Sequence, residues 1–378
     1  MRPRHLVVLG AGVHGLCTAF WLVRAGARVT VLEQFGPGHD RGSSHGGTRI
    51  TRSSYDDPAF VRLAQDAHQK GWPTLERALG KPLRLPTPGL FFGPPRGLFA
   101  DYLATTLGSG AAVERLPLAA ARTRFPLLRF AEDEQVLLDH TAAVLLAAAT
   151  MQGLRTWLEA AGASLHFHTR ATMVAPGPDG CRVATEHGEL AADRVAVAIG
   201  PYATPALTGC EPVAVLHQQV GYFDVEAAPS ATQAGTFPVW ARIGADAEDF
   251  VYGLPDVDAA GLKLARHVTT GRGGDPAVPP EPDLTALRTL AARHLTSPSA
   301  SLRRHERCLY TMATGHQLRV DPVGPLPGVV AITACSGHAF KFAPELGRLA
   351  AAMLLDEPTD APCFGIERTP PTGKTGAR

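Results

Sequence analysis

The chain has 378 residues, 45% hydrophobic and 19% charged, a length beyond one ordinary core and a composition typical of globular proteins. Its 36 basic and 35 acidic residues leave a net charge of +1, which gives a polyanion nothing to hold and excludes nucleic acid as an expected partner. No apolar run approaches the roughly 18 residues of a membrane span, and six scattered cysteines without a CxxC pair point to free thiols in a reducing cytoplasm.

In chain order, the basic start Met1-Arg2-Pro3-Arg4-His5 leads straight into a short apolar strand over residues 6–9, a buried first strand rather than a secretory signal. Gly10-Ala11-Gly12-Val13-His14-Gly15 follows and opens a helix over 13–25, with Leu16, Ala19, Phe20 and Val23 on one face and Gly26 closing it. A second strand over 29–32 ends on Glu33 and completes a βαβ unit. Residues 36–47 form a Gly-, Ser- and His-rich loop. Residues 60–80 have helical periodicity that Pro73 kinks or divides.

A Pro- and Gly-rich stretch at 82–95 marks a change of domain. Thr141 is placed to cap a long helix from Ala142 to about Ala161, and short alternating strands follow, with turns at 176–180 and 187–188. Residues 195–200 read as another buried strand, and 213–268 suit an antiparallel sheet. Asp283 caps a helix to about Leu295, and a closing helix spans 344–355 with Pro near its first turn. The C-terminal segment carries no peroxisomal or retention address, and there is no internal repeat.

Nucleotide-binding strips thus lie at the start, middle and end of the chain. The expected fold is α/β (α+β): a discontinuous Rossmann-like FAD domain of residues 1–85, 145–212 and 308–368, with an antiparallel-sheet substrate domain of 86–144 and 213–307 inserted in it. Residues 369–378 read as a disordered tail.

The Gly-rich loop gains meaning from its context. Glu33 lies 23 positions after Gly10, close to the roughly 20 expected for a ribose-binding carboxylate. Gly10 permits the tight turn, Gly12 lets backbone approach a pyrophosphate, and Gly15 allows close helix–strand packing with the helix N-terminus facing the anion. That loop alone leaves FAD and NAD both open. The next segment, Gly42-Ser43-Ser44-His45-Gly46-Gly47-Thr48-Arg49-Ile50-Thr51-Arg52, sets two arginines three apart in a small-residue loop. Guanidinium groups that close together call for anions or an electron-rich ring.

These motifs, with Cys308-Leu309-Tyr310-Thr311-Met312 and Ser336-Gly337-His338-Ala339-Phe340-Lys341-Phe342 in the same order, resemble the monomeric sarcosine oxidase family. That family includes N-methyltryptophan and pipecolate oxidases among the D-amino-acid-oxidase-like flavoproteins. The resemblance covers residues 6–355 and implies FAD attached through a cysteinyl thioether, here at Cys308. It implies that Ser43, Ser44, His45, Thr48 and Arg49 lie over the flavin, with Gly337 nearby. Arg52 and Lys341 would hold a substrate carboxylate beside Tyr310. The segments at Tyr252 and Lys263 to His267 match those carrying the oxygen-activating lysine and an active-site histidine, so Lys263, His267, Arg49 and Tyr252 become the expected catalytic set.

The residues alone read compatibly. A charge at Lys263 stabilises superoxide as oxygen takes its first electron, and His267, four residues on in a strand, shares its face. A lone buried thiol such as Cys308 is by default structural, but a nearby cation would lower its pKa. His166 and His168 find no third ligand at metal spacing, so no metal is expected.

The chain departs from the family pattern at Ala339, at Gly200-Pro201-Tyr202 and at 313–318, which bears on substrate choice more than on flavin binding. The expected activity is oxidation of a secondary amino acid, N-methyl or cyclic, to an imine with O2 reduced to H2O2, by a monomer acting on a small substrate with a free carboxylate. A flavin-dependent biosynthetic oxidase or dehydrogenase forming a cyclic imine is the alternative within the class. Outside it stand an NAD-dependent dehydrogenase and a non-catalytic flavin-binding subunit.

Overall fold

The computed structural model describes residues 3–208, 213–271, 273–297, 299–313 and 317–359. The tail expected at 369–378 and the centre of the altered 313–318 segment lie outside the described residues.

A six-stranded sheet runs in the order Arg319–Pro322, Val329–Ala334, Arg194–Val197, His5–Leu9, Arg28–Leu32, Ser164–His166. All neighbours are parallel except the antiparallel first pair. Strand alternation splits its side chains between two layers. Leu6 and Val8 join a core with the helices Val13–Arg24, Ala147–Ala160 and Ala343–Leu355. Val7 and Leu9 join a second core with the three-stranded antiparallel sheet Ala171–Gly177, Gly180–Thr185, Gly188–Ala192. The interior strands read as unbroken apolar runs because both faces are covered.

An eight-stranded sheet carries the other half: Ser301–Met312, Ala214–Asp224, Leu262–Arg266, Phe250–Leu254, Val239–Ile243, Gly89–Gly93, Gln135–Asp139, Val113–Leu116. The sequence suggests a purely antiparallel sheet; the structure has one parallel pair, Val239–Ile243 against Gly89–Gly93. That pair joins segments from the two pieces of chain, between which no hairpin turn dictates direction. One face packs Leu90, Phe92, Trp240, Leu262 and Leu264 beneath the helix Leu284–His294. The other face looks into the central cavity.

One further expectation is corrected. Residues 143–146 form a strand, paired with Thr48–Thr51 and Arg84–Pro86, and the helix begins only at Ala147. Thr141 is therefore no cap; its hydroxyl bonds Asp139 Oδ1 at 2.6 Å and Ser53 Oγ at 2.8 Å. The domain boundary placed at 308 falls inside the strand Ser301–Met312, whose register runs unbroken through Cys308 against Gln218. The helix expected over 60–80 is divided, as Pro73 suggests, into Pro58–Asp66 and Trp72–Leu79, with a π-helical turn Ala67–Gly71 between them. No described helix is long and apolar enough to cross a membrane.

Candidate active site

A single cavity of about 1220 Å³ runs between the two large sheets and is lined by the Gly-rich loop at one end and by Arg52 and Lys341 at the other. At the first end Gly10 has φ +95°, and a Cβ there would lie 2.4 Å from the Ala198 carbonyl oxygen, so no other residue fits. A Cβ on Gly15 would lie 1.9 Å from the Gly10 carbonyl oxygen, which fixes how closely helix and loop pack. A Cβ on Gly12 would meet only Ser44 Oγ, at 3.3 Å, which leaves the backbone open toward the cavity. The helix starting at Val13 has no side-chain cap from Gly12, and Val13 N–H bonds Ser44 Oγ at 3.0 Å.

Glu33 is buried and accepts from Ala11 N–H at 2.8 Å and Phe35 N–H at 3.0 Å. Burial pushes its carboxyl up, but His39 and these two amides outweigh that and hold it below the ordinary carboxylate range. His14 Nδ1 is buried without a partner in the same wall. A helix N-terminus facing the cavity, open glycine backbone and an ionised carboxylate fit the pyrophosphate and ribose of a dinucleotide.

The loop 42–52 is latched onto the strand Ser301–Met312. Ser43 Oγ donates to Leu309 O at 2.5 Å, and His45 Nε2 lies 2.6 Å from Arg307 O. The two contacts bracket Cys308. Arg49 is locked by three carbonyls of its own segment, those of Ser43, His45 and Thr48, at 2.7–2.8 Å. Its guanidinium also sits 5.5 Å from the Phe340 ring centroid. Cys308, Glu306 and Tyr310 share the cavity face of their strand by alternation. Burial pushes the Cys308 thiol up, and Arg49 and Lys263 only partly oppose this. The nearby cation expected from the sequence is thus present, but desolvation outweighs it.

Lys263 shows why its sequence context is ambiguous. Leu262 and Leu264 face the helix-covered core, so Lys263 between them turns into the cavity, where it is 4% exposed. Its Nζ donates to Thr48 O at 3.0 Å. Burial and then Arg49 lower its pKa to about 7. His267 follows that strand, and its Nδ1 lies 3.2 Å from Tyr310 OH. Tyr252 hydrogen-bonds Tyr310 in turn, and burial lifts its phenol to about 12. Gly337, at φ +75°, faces the Tyr310 ring so closely that a Cβ would lie 2.4 Å from it.

At the far end Arg52 and Lys341 flank one ring: the Arg52 guanidinium lies 4.2 Å and the Lys341 ammonium 5.5 Å from the Tyr55 centroid. Arg52 donates to Ser54 O and Tyr102 OH, and Lys341 Nζ to His338 O at 2.8 Å. Burial, and then Arg52, hold the Lys341 ammonium well below its ordinary pKa. The Arg52 guanidinium beside a buried amine that can take up a proton makes a strong site for a carboxylate.

The residues expected from the sequence line this cavity, except Gly15, which lies in the helix Val13–Arg24 and sets its packing on the loop. Sequence reasoning missed those that hold them. Asp139, 0% exposed, accepts from the N–H groups of Ser53 (2.9 Å), Ser54 (3.0 Å) and Thr141 (2.8 Å), and so fixes the turn after Arg52. Tyr55 and Tyr102 box the guanidinium, and Trp72 Nε1 anchors Lys341 O at 2.8 Å. No local pattern marks these residues. The Asp139 bonds span 85 and 86 positions of sequence.

Residues 5–353 match the family model described as "FAD dependent oxidoreductase". A monomeric sarcosine oxidase of Streptomyces avermitilis is 31% identical over 376 residues, covering 96% of each chain. The peroxisomal sarcosine oxidase of Mus musculus is 30% identical, over 91% of this chain and 90% of the relative. In fold, the chain is similar to NikD, an amino acid oxidase essential for nikkomycin biosynthesis, with a TM-score of 0.81 at 22% identity, covering 95% of this chain and 96% of that one. The family match resolves the FAD-or-NAD ambiguity of the Gly-rich loop in favour of FAD. A fold shared over nearly the whole length and a dinucleotide cradle opening into the same cavity as the paired cations lead to one assignment: the chain belongs to the FAD-dependent oxidoreductase family.

Proposed function

We propose that this protein is an FAD-dependent amine oxidase that converts the C–N bond of a secondary amino acid, N-methyl or cyclic, to an imine and reduces O2 to H2O2. The observation that carries the reading is the paired placement of Arg52 and Lys341 around Tyr55 in the cavity that also holds the Gly-rich loop. The names of the sarcosine oxidase relatives support the substrate class. When bound, FAD supplies the two-electron acceptor for the substrate and the donor for oxygen.

Every other part of the chemistry falls to side chains. Arg52 and Lys341 take the carboxylate and fix the substrate's orientation, worth several kcal/mol, on the order of 7 at best. The same cations favour the neutral amine needed for oxidation. His267, held by Tyr310 at 3.2 Å, receives the amine proton. Aromatic walls from Tyr55, Phe91, Tyr102 and Tyr252 exclude water. Lys263 stands on the eight-stranded sheet and lines the same cavity, where a positive charge stabilises developing superoxide. Cys308 would hold the FAD through a thioether, on a strand clamped on both sides by Ser43 and His45.

Acid precipitation of the purified protein tests the tether: a yellow pellet is expected, and Cys308→Ser should release the colour to the supernatant. Anaerobic mixing with sarcosine, pipecolate, proline and N-methyltryptophan tests the activity. Bleaching by at least one, followed by peroxide formation on admitting oxygen, is the expected result. Bleaching that oxygen does not reverse would make the protein a dehydrogenase.

A further inference from the structure

Three strands of the eight-stranded sheet present a small charged array to the cavity. Register places Lys263 opposite Tyr222, and Tyr222 opposite Arg304. In the next row Ala265 pairs with Val220 and Val220 with Glu306. Tyr222 OH donates to Glu306 Oε2 at 2.8 Å, Arg304 ion-pairs with Glu306, and the Lys263 ammonium lies 5.5 Å from the Tyr222 centroid. The loop closes over this carboxylate at Gly46, where φ is +83° and a Cβ would lie 3.2 Å from Glu306 Oε2.

The charges facing Lys263 are few. Arg49 on the strand Thr48–Thr51 and Arg304 oppose its protonation, while Glu306 and the Cys308 thiol favour it. Tyr222 contributes a ring face and Thr48 a carbonyl. The other carboxylates lining the cavity are engaged elsewhere: Glu33 at the dinucleotide end, and Asp56 and Asp57 on the turn beyond Arg52. Among the described lining residues, Glu306 is therefore the anion available to this cluster.

We infer that Glu306, held by Tyr222, is a positioning residue that keeps Lys263 in its charged form and thereby sets the pH range over which the enzyme reacts with oxygen. This rests on the oxygen-side reading of Lys263. The Glu306 carboxylate stabilises the ammonium across the sheet, against the cost of burial and the neighbouring Arg49.

The test uses holoenzyme carrying Glu306→Gln, which keeps the volume and an acceptor for Tyr222 but removes the charge. Two quantities are followed across neutral pH: the flavin absorption spectrum of the resting enzyme, which responds to a cation titrating nearby, and the rate of reoxidation by O2. Both are expected to show the Lys263 step moved down by about one unit or more, with the flavin reduction rate at saturating substrate unchanged. Tyr222→Phe, which leaves Glu306 held by Arg304 alone, should move the step the same way by less. An unmoved spectral step in both variants overturns the inference. Lys263→Met separates the two readings. If it abolishes the spectral step yet reoxidises at the normal rate, the oxygen role of Lys263 fails and the electrostatic coupling stands. If the step survives Lys263→Met, it belongs to another group and the coupling is overturned.

Discussion

Lys263 donates to the carbonyl oxygen of Thr48 at 3.0 Å across 215 positions of sequence, joining the third strand of the eight-stranded sheet to the strand Thr48–Thr51, which carries Arg49 and leads into Arg52. The contact fixes the ammonium in the cavity wall. It also makes Thr48 O a shared acceptor, since Arg49 Nη1 reaches the same oxygen at 2.8 Å.

Removing this charge should separate the two half-reactions. Lys263→Met is expected to slow reoxidation by O2 by about 100-fold or more while flavin reduction changes little. Because burial holds the Lys263 pKa at about 7, the ammonium is present below that pH and lost above it. Reoxidation of the unaltered enzyme should therefore fall as pH rises through about 7. Stopped-flow traces of each half-reaction decide this; equal slowing of both would remove Lys263 from the oxygen site.

The carboxylate clamp makes a binding prediction. Arg52→Ala should weaken a simple carboxylate inhibitor by about 30-fold, or about 2 kcal/mol, the scale of a charged hydrogen bond. Lys341 is held well below its ordinary pKa by burial and Arg52, so an arriving carboxylate should draw a proton onto it. Inhibitor affinity in spectral titrations should then decrease with rising pH, and unchanged affinity in Arg52→Ala would dismiss the clamp.

Asp139 positions that clamp from behind. Asp139→Ala leaves the buried N–H groups of Ser53 and Ser54 without their acceptor, which should cost about 2 kcal/mol or more of stability and raise KM more than it lowers kcat. Denaturant melts and steady-state kinetics on the same preparation test both halves. A stable variant with normal KM would show that the turn holds itself.

Gly337→Ala combines a positive φ with a Cβ 2.4 Å from the Tyr310 ring. Strain of about 1–3 kcal/mol is expected, together with displacement of Tyr310 from His267. Thermal melting and substrate affinity should both suffer, whereas Gly324→Ala, with open space around it, should be silent.

Acid stability follows from buried imidazoles. Burial lowers His14, His68 and His294 from 6.5 to about 4. The unfolded chain then binds protons that the folded chain refuses, so stability is full above about 6.5 and declines as pH falls toward about 4. Glu33 and Glu76, held below their ordinary range, extend the loss in the same direction at lower pH. Urea midpoints at pH values across this window should fall steadily on acidification.

The sequence by itself determined the pieces whose signal is local. The strand–glycine–helix unit ending at Glu33 is legible because turn sterics and backbone exposure restrict Gly10, Gly12 and Gly15 directly. The loop carrying Arg49 and Arg52 and the strand carrying Cys308 and Tyr310 are likewise readable as motifs, which suffices for the fold and for the family. Only the tertiary structure decided what encloses them. Residues 143–146 became a strand because two partner strands offered hydrogen bonds that helical periodicity could not reveal. The apolar neighbours of Lys263 proved compatible with a cavity-facing lysine because alternation sends Leu262 and Leu264 to the opposite side. Asp139 and Glu306 entered the site because distant strands carry them there, and Tyr102 because the helix Gly97–Gly108 does; desolvation, which shifts Lys263, Lys341 and Cys308, is a property of the closed cavity that no stretch of sequence contains.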